Sequence, residues 1–106
     1  MALHESNHVS ISGNDCTMGS GGSHTIQTTG LYQVVYGGVT SNNDGGYINI
    51  YLNHGFLPID SLPVSKYTTS SDIAMKTLIY NFDENDRITI SGDINTLCFY
   101  AYQQIK

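Results

Sequence analysis

Positive charge is what this sequence has least of. Lys66, Lys76, Arg87 and Lys106 are its only permanent cations against nine carboxylates, a formal net charge of −5. With no basic stripe to neutralise phosphates, nucleic acid is excluded as a partner. Charge of either sign is sparse, at 12% of residues against the roughly 25% usual in soluble proteins. Lys, Glu and Ala, which cover exposed helix faces, are few. No apolar run approaches the roughly 20 residues that span a bilayer, so no membrane insertion is expected, and "MALHESNHVS" has neither the basic start nor the apolar centre of a secretory signal. The short signatures of catalysis are missing too: no Gly-x-Ser-x-Gly, no His-Glu-x-x-His and no phosphate loop occur. Asp15, Cys16 and His24 share a loop only in sequence. No catalytic residue is assigned, and the chain is expected not to be an enzyme.

What fills the 106 residues instead is Tyr, Ile, Val and Thr, with Ser, Asn and Gly at the polar positions, the composition of an all-β, turn-rich chain. The length suits one domain, 1–106, whose first eight residues read as a frayed or appended end. Val9 to Ile11 alternate as a short strand before the glycine-rich "NDCTMGSGGS". "TGLYQVVYGG" (29–38) reads as a strand closed by Gly37-Gly38, and "TSNNDGG" (40–46) as a dense turn. From 47 to 52, Ile48, Ile50 and Leu52 oppose Tyr47, Asn49 and Tyr51, and Asn53-His54-Gly55 turns the chain into an irregular arm whose Pro58 and Pro63 suit an edge. "IAMKTLIYNF" has helix formers at Ala74, Met75 and Lys76, yet Leu78, Tyr80 and Phe82 alternate as a strand. "DENDR" turns into Ile88 and Ile90, with Asn85 suited to a left-handed residue. "TLCFYAYQQI" closes the chain.

Two of these strands are apolar on both faces. Tyr32, Val34 and Tyr36 oppose Leu31, Gln33 and Val35; Leu97, Phe99 and Ala101 oppose Cys98, Tyr100 and Tyr102. A sandwich of this size has one internal layer, so a second apolar face needs a cover from outside the chain. An oligomer is therefore expected. Its interface and core candidates are Tyr32, Val34, Tyr36, Tyr47, Tyr51, Phe99, Tyr100 and Tyr102; which face of each strand lies inside stays open.

Gly30-x-Tyr32-x-Val34-x-Tyr36, preceded by "HTIQTT", is similar to the signature strand of the C1q and tumour necrosis factor jelly-roll superfamily. "YINIYLNHGFLP", "LIYNFDENDRITISG" and "TLCFYAYQQIK" follow in the family's order, so the resemblance covers residues 24–106. Asp86 matches the family's turn aspartate, and Asn85 stands where its glycine would be. Among branches, the chain looks most like the bacterial and phage heads that cap collagen-like filaments, such as spore-surface glycoproteins. The resemblance implies a two-sheet jelly-roll sandwich assembled as a compact homotrimer, non-catalytic, extracellular or exposed on a spore, cell or virion surface. Its partners would be further copies of itself and a cell-surface receptor or glycan. The alternative is a receptor- or glycan-binding tip of a phage or secreted fibre.

Asn42, Asn43, Asp44, Asp83 and Asp86 are the candidate ligand-loop residues, displayed at the free end of such a head. They lack the spacing of a calcium loop. His4 and His8 stand four apart, but on a segment running into a strand, and His24 and His54 are isolated, so no metal site and no cofactor is assigned. Cys98 reads first as a small buried hydrophobe; a disulfide between Cys16 and Cys98 is the second reading, since the first and last strands neighbour each other in the resembled fold.

Overall fold

A computed structural model describes residues 23–53, 55–69 and 72–105, and the strand path of 9–15. Among these residues there are eight strands: β1 (Val9–Asp15), β2 (Ser23–Thr25), β3 (Gly30–Thr40), β4 (Gly46–Leu52), β5 (Asp60–Val64), β6 (Ala74–Phe82), β7 (Arg87–Gly92) and β8 (Thr96–Gln104). They form two four-stranded sheets, sheet I in the order β1-β8-β3-β6 and sheet II in the order β2-β7-β4-β5. Every strand pair is antiparallel. The pairing is nested: β1 with β8, β2 with β7, β3 with β6, β4 with β5. A long hairpin rolled up on itself gives this pattern, which is the jelly roll.

The inner faces follow from strand alternation. Tyr32, Val34 and Tyr36 of β3, Tyr100 of β8 and Phe82 of β6 have no exposed surface, and they meet Ile48 and Ile50 of β4 and Ile88 and Ile90 of β7. The question left open by the two-faced strands is thereby answered. Tyr32, Val34, Tyr36, Cys98, Tyr100 and Tyr102 fill the sandwich, while Leu31, Gln33, Val35, Leu97, Phe99 and Ala101 lie on the outside of sheet I. Two of the buried tyrosines keep their hydroxyls satisfied: Tyr32 donates to the Thr28 carbonyl at 2.6 Å, and Tyr36 to Asp60 Oδ2 at 2.8 Å.

The turns use the residues expected of them. Asn85 has φ of 74°, and Asn53 and Asn95 are also left-handed, at 54° and 65°. Pro63 lies on β5, an edge strand. Two boundaries differ from the sequence reading. Gly37-Gly38 do not end β3, which continues to Thr40. A Cβ on Gly37 would strike the Ala74 carbonyl oxygen, and one on Gly38 the Leu97 carbonyl oxygen, so these glycines let three backbones pass closely within the sheet. The first strand also runs beyond Ile11. Its pairing with β8 breaks register between Ile11 and Asn14 and then resumes, as a strand does across a bulge.

Candidate assembly face and end loops

The register across sheet I builds one continuous surface on its outer side. Gly37 stands between Phe99 of β8 and Met75 of β6; Val35 between Ala101 and Thr77; Gln33 between Gln103 and Ile79; and Val39 opposite Leu97. Met75 is 62% exposed and Leu97 and Ile79 each 50%, joined by Leu31 and, just before β6, Ile73. No charged side chain stands on this face in β3, β6 or β8. Gln33, Gln103 and Thr77 are the polar members of this otherwise apolar face.

The sequence-derived interface and core candidates separate into three places. Tyr32, Val34, Tyr36, Tyr100 and Tyr102 sit in the core of a single chain. Phe99 lies half-buried on the outer face of sheet I. Tyr47, 56% exposed, and the half-buried Tyr51 lie on the outer side of sheet II, across the sandwich from Phe99. The residues that dominate the apolar face, Met75, Ile79 and Leu97, were not among the candidates. Their signal was present in β6, where Met75, Thr77 and Ile79 alternate against Leu78 and Tyr80.

Lys76 was missed for the opposite reason. It takes an inward position beside Tyr36 on the edge strand β6, where its Nζ lies 2.8 Å from Asp60 Oδ1 and 3.1 Å from the Ser61 carbonyl. Asp60 belongs to β5, so Tyr36, Asp60 and Lys76 tie sheet I to sheet II along one edge. Burial, then the hydrogen bond to Asp60 and its charge, push the Tyr36 hydroxyl well above the ordinary phenol range. An inward charge on an edge strand also blocks pairing with another chain.

Cys98 is buried as expected, but it is disulfide-bonded and so is not simply a small buried hydrophobe. Cys16, its predicted partner, lies outside the described residues, as do His4, His8 and His54. His24 stands half-buried on β2 with its ring edge-on to Tyr100 at 5.7 Å and tilted to Tyr102 at 6.3 Å, and burial lowers its pKa. Among the described residues, no group of three His, Cys, Asp or Glu side chains could hold a metal ion.

The candidate loop residues fall at opposite ends of the sandwich. Strand β3 runs from Gly30, opposite Phe82, to Thr40, opposite Thr96. At the Thr40 end, here the apical pole, Asn42 Nδ2 donates to the Ile94 carbonyl at 2.7 Å, Asn43 Oδ1 accepts from Lys66 Nζ at 2.7 Å, and Asp44 is exposed. At the Gly30 end, the basal pole, both Asp86 carboxylate oxygens are engaged. Oδ2 accepts from the Asp83 amide at 2.7 Å, and Oδ1 from Asn53 Nδ2 at 2.9 Å. Asp86 fastens two turns together, and Asp83 is half of that fastening. The two loops therefore cannot make one surface within a chain. Strand β1 begins opposite Tyr102 and runs towards the apical pole, and β8 ends at the basal pole.

An open cleft of about 560 Å³ lies at the apical pole. The strap after β5 forms one wall: the Tyr67 amide donates to the Thr40 carbonyl at 2.9 Å, in a bridge that pairs Thr40 with Lys66. Asn95 and Thr96, entering β8, form the other. The Thr96 side chain is wholly buried, and its hydroxyl has no hydrogen-bond partner.

This architecture is the C1q/TNF-like jelly-roll sandwich. Solved structures of that fold superpose along most of their length. The globular domain of zebrafish complement 1qA matches with a TM-score of 0.65 and 11% identity over 94% of this chain and 97% of that one. Murine APRIL matches with a TM-score of 0.60 and 11% identity over 99% and 93%. Pika GITRL matches with a TM-score of 0.57 and 22% identity over 85% and 76%. No protein-family profile and no curated protein sequence matches the chain.

Proposed function

We propose that this chain is a non-catalytic assembly and recognition head, in which three copies pack through the outer face of sheet I. The head would cap a filament or fibre outside the cell, on a spore, cell or virion surface, with a cell-surface receptor or glycan as its further partner. The observation that carries this reading is the apolar stripe of Leu97, Phe99, Val39, Met75 and Ile79. Among the described residues Met75, Ile79 and Leu97 of this stripe stay exposed in a single chain, and the tyrosine-rich core already fills the inside. Removing such a face from water gains about 25 cal/mol per Å². The C1q/TNF-like resemblance carries the threefold count. In that assembly the apical turn 41–45 points away from the end where β1 starts, so three copies display it together and weak contacts add by avidity.

Light scattering at micromolar concentration tests the reading, with a trimer expected and a monomer overturning it. Met75→Asp should give a folded monomer, because Met75 is exposed on the shared face and lies outside the apical cleft. Tyr36→Asp should unfold the chain, because it buries the charge in the core.

A binding tip on a fibre is the second reading, and the apical cleft is the observation that favours it.

A further inference from the structure

We infer that the apical cleft between the 65–67 strap and the start of β8 is a carbohydrate site, sized for a short saccharide. This specifies the glycan-binding reading; Val39 and Leu97 belong to both the cleft and the assembly face, so the groups that define the site are Tyr67, Ser41, Asn95 and Lys66, none of which lies on β3, β6 or β8. The volume of about 560 Å³ falls in the range of small-molecule sites, which have mostly apolar walls and a few convergent polar groups. Both features are here. Tyr67 is 48% exposed although its backbone is pinned to Thr40, so it offers a flat ring on a fixed mount. Val39 and Leu97 form the side of the cleft that continues into the outer face of sheet I. Such rings bury the apolar face of a sugar at little conformational cost.

The polar groups suit hydroxyls. The Ser41 hydroxyl makes only a long 3.4 Å contact to the Asn95 carbonyl, and the Asn95 amide only a 3.3 Å contact to Asn42. Both can exchange these for a guest. Thr96 also lines the cleft, but its hydroxyl is fully buried without a partner, as is that of Tyr100 in the core, and lies out of a guest's reach. Lys66 Nζ, held at 2.7 Å by Asn43, is the single cation at the cleft wall and would favour a carboxylated sugar over a neutral one.

The test is amide-resolved NMR on the intact protein with methyl glycosides of glucose, galactose, mannose, N-acetylglucosamine and glucuronic acid at about 10 mM, where weak sites are populated. At least one glycoside should shift the amides of Ser41, Tyr67, Asn95 and Leu97. Tyr67→Ala, at an exposed side chain, should keep its melting temperature and bind at least about tenfold more weakly, the loss of a stacking partner. Lys66→Gln should weaken glucuronide alone. Shifts with none of the glycosides, shifts centred on another surface, or unchanged binding by Tyr67→Ala would each overturn the proposal. Light scattering on the same sample reads assembly separately: a trimer that ignores every glycoside refutes the cleft alone, and a monomer that binds one refutes the assembly alone.

Discussion

Gly30, Gly37 and Gly38 lie in one strand and meet different neighbours. A Cβ on Gly30 would meet the far end of the Gln104 side chain, which can swing aside, so Gly30→Ala should change stability by no more than about 1 kcal/mol. Gly38→Ala would meet the Leu97 carbonyl and bring its Cβ within 2.8 Å of Ile48 Cδ1. Neither backbone nor core yields easily, and a loss of about 1–3 kcal/mol or more is expected. Urea midpoints of the two variants check the contrast. In sequence the Gly37-Gly38 pair looked like the end of a strand, because glycine is usually punctuation. Only the positions of β6 and β8 on either side show that it is a close crossing, and those partners lie far away along the chain. Asn85 was legible from its own four-residue turn, since the left-handed requirement is local.

At the scale of elements, the β5–β6 edge is held by a polar clasp. Asp60→Ala leaves the Tyr36 hydroxyl and the inward Lys76 without their shared acceptor, and a loss of about 1–3 kcal/mol is expected; Lys76, partly exposed, accounts for the smaller share. Asp60→Asn, which still accepts from Tyr36, should lose less. Denaturant unfolding of both variants checks the order. Alternation made β4, β7 and β8 legible, because each has an apolar set at period two. It also made the two-faced strands visible, and the structure resolves which side is which by giving the tyrosines to the core. What alternation could not show is the pole at which each loop lies. Asn42 and Asp86 look alike in sequence, as polar residues in turns. Their separation depends on the odd number of passes between them, a property of topology and not of composition.

At the scale of the molecule, four core tyrosines and one histidine set the limits of stability in pH. Tyr32, Tyr36, Tyr100 and Tyr102 all have hydroxyl pKa values raised chiefly by burial. An unfolded tyrosine ionises near pH 10, so the folded state holds the proton longer. This contribution is complete below pH 10 and is lost as pH rises towards the raised values. His24 works at the other limit. Its pKa lies below 6.5 in the folded chain, so the unfolded chain binds the proton first and stability falls as pH drops through that window. Thermal melts across pH should show both limbs, and His24→Gln should flatten the acid one without touching the alkaline one. Cys98 adds a redox limit: thiol titration of the denatured, unreduced protein should find no free thiol, and reduction should lower stability by about 2–4 kcal/mol.

The nested pairing described for the two sheets also orders the chain in time. The segments that must be spanned lengthen from β4·β5, across residues 53–59, through β3·β6 and β2·β7, to β1·β8, across residues 16–95. Closing a longer loop costs more chain entropy, and contacts distant in sequence form slowly. The inner hairpin is therefore the cheapest nucleus and β1 the last strand to dock, so a chain still being synthesised cannot complete sheet I until its final strand has emerged. The apolar face on which assembly is proposed gains its last two strands at the end of folding, when Leu97 and Phe99 of β8 join Met75 and Ile79 of β6.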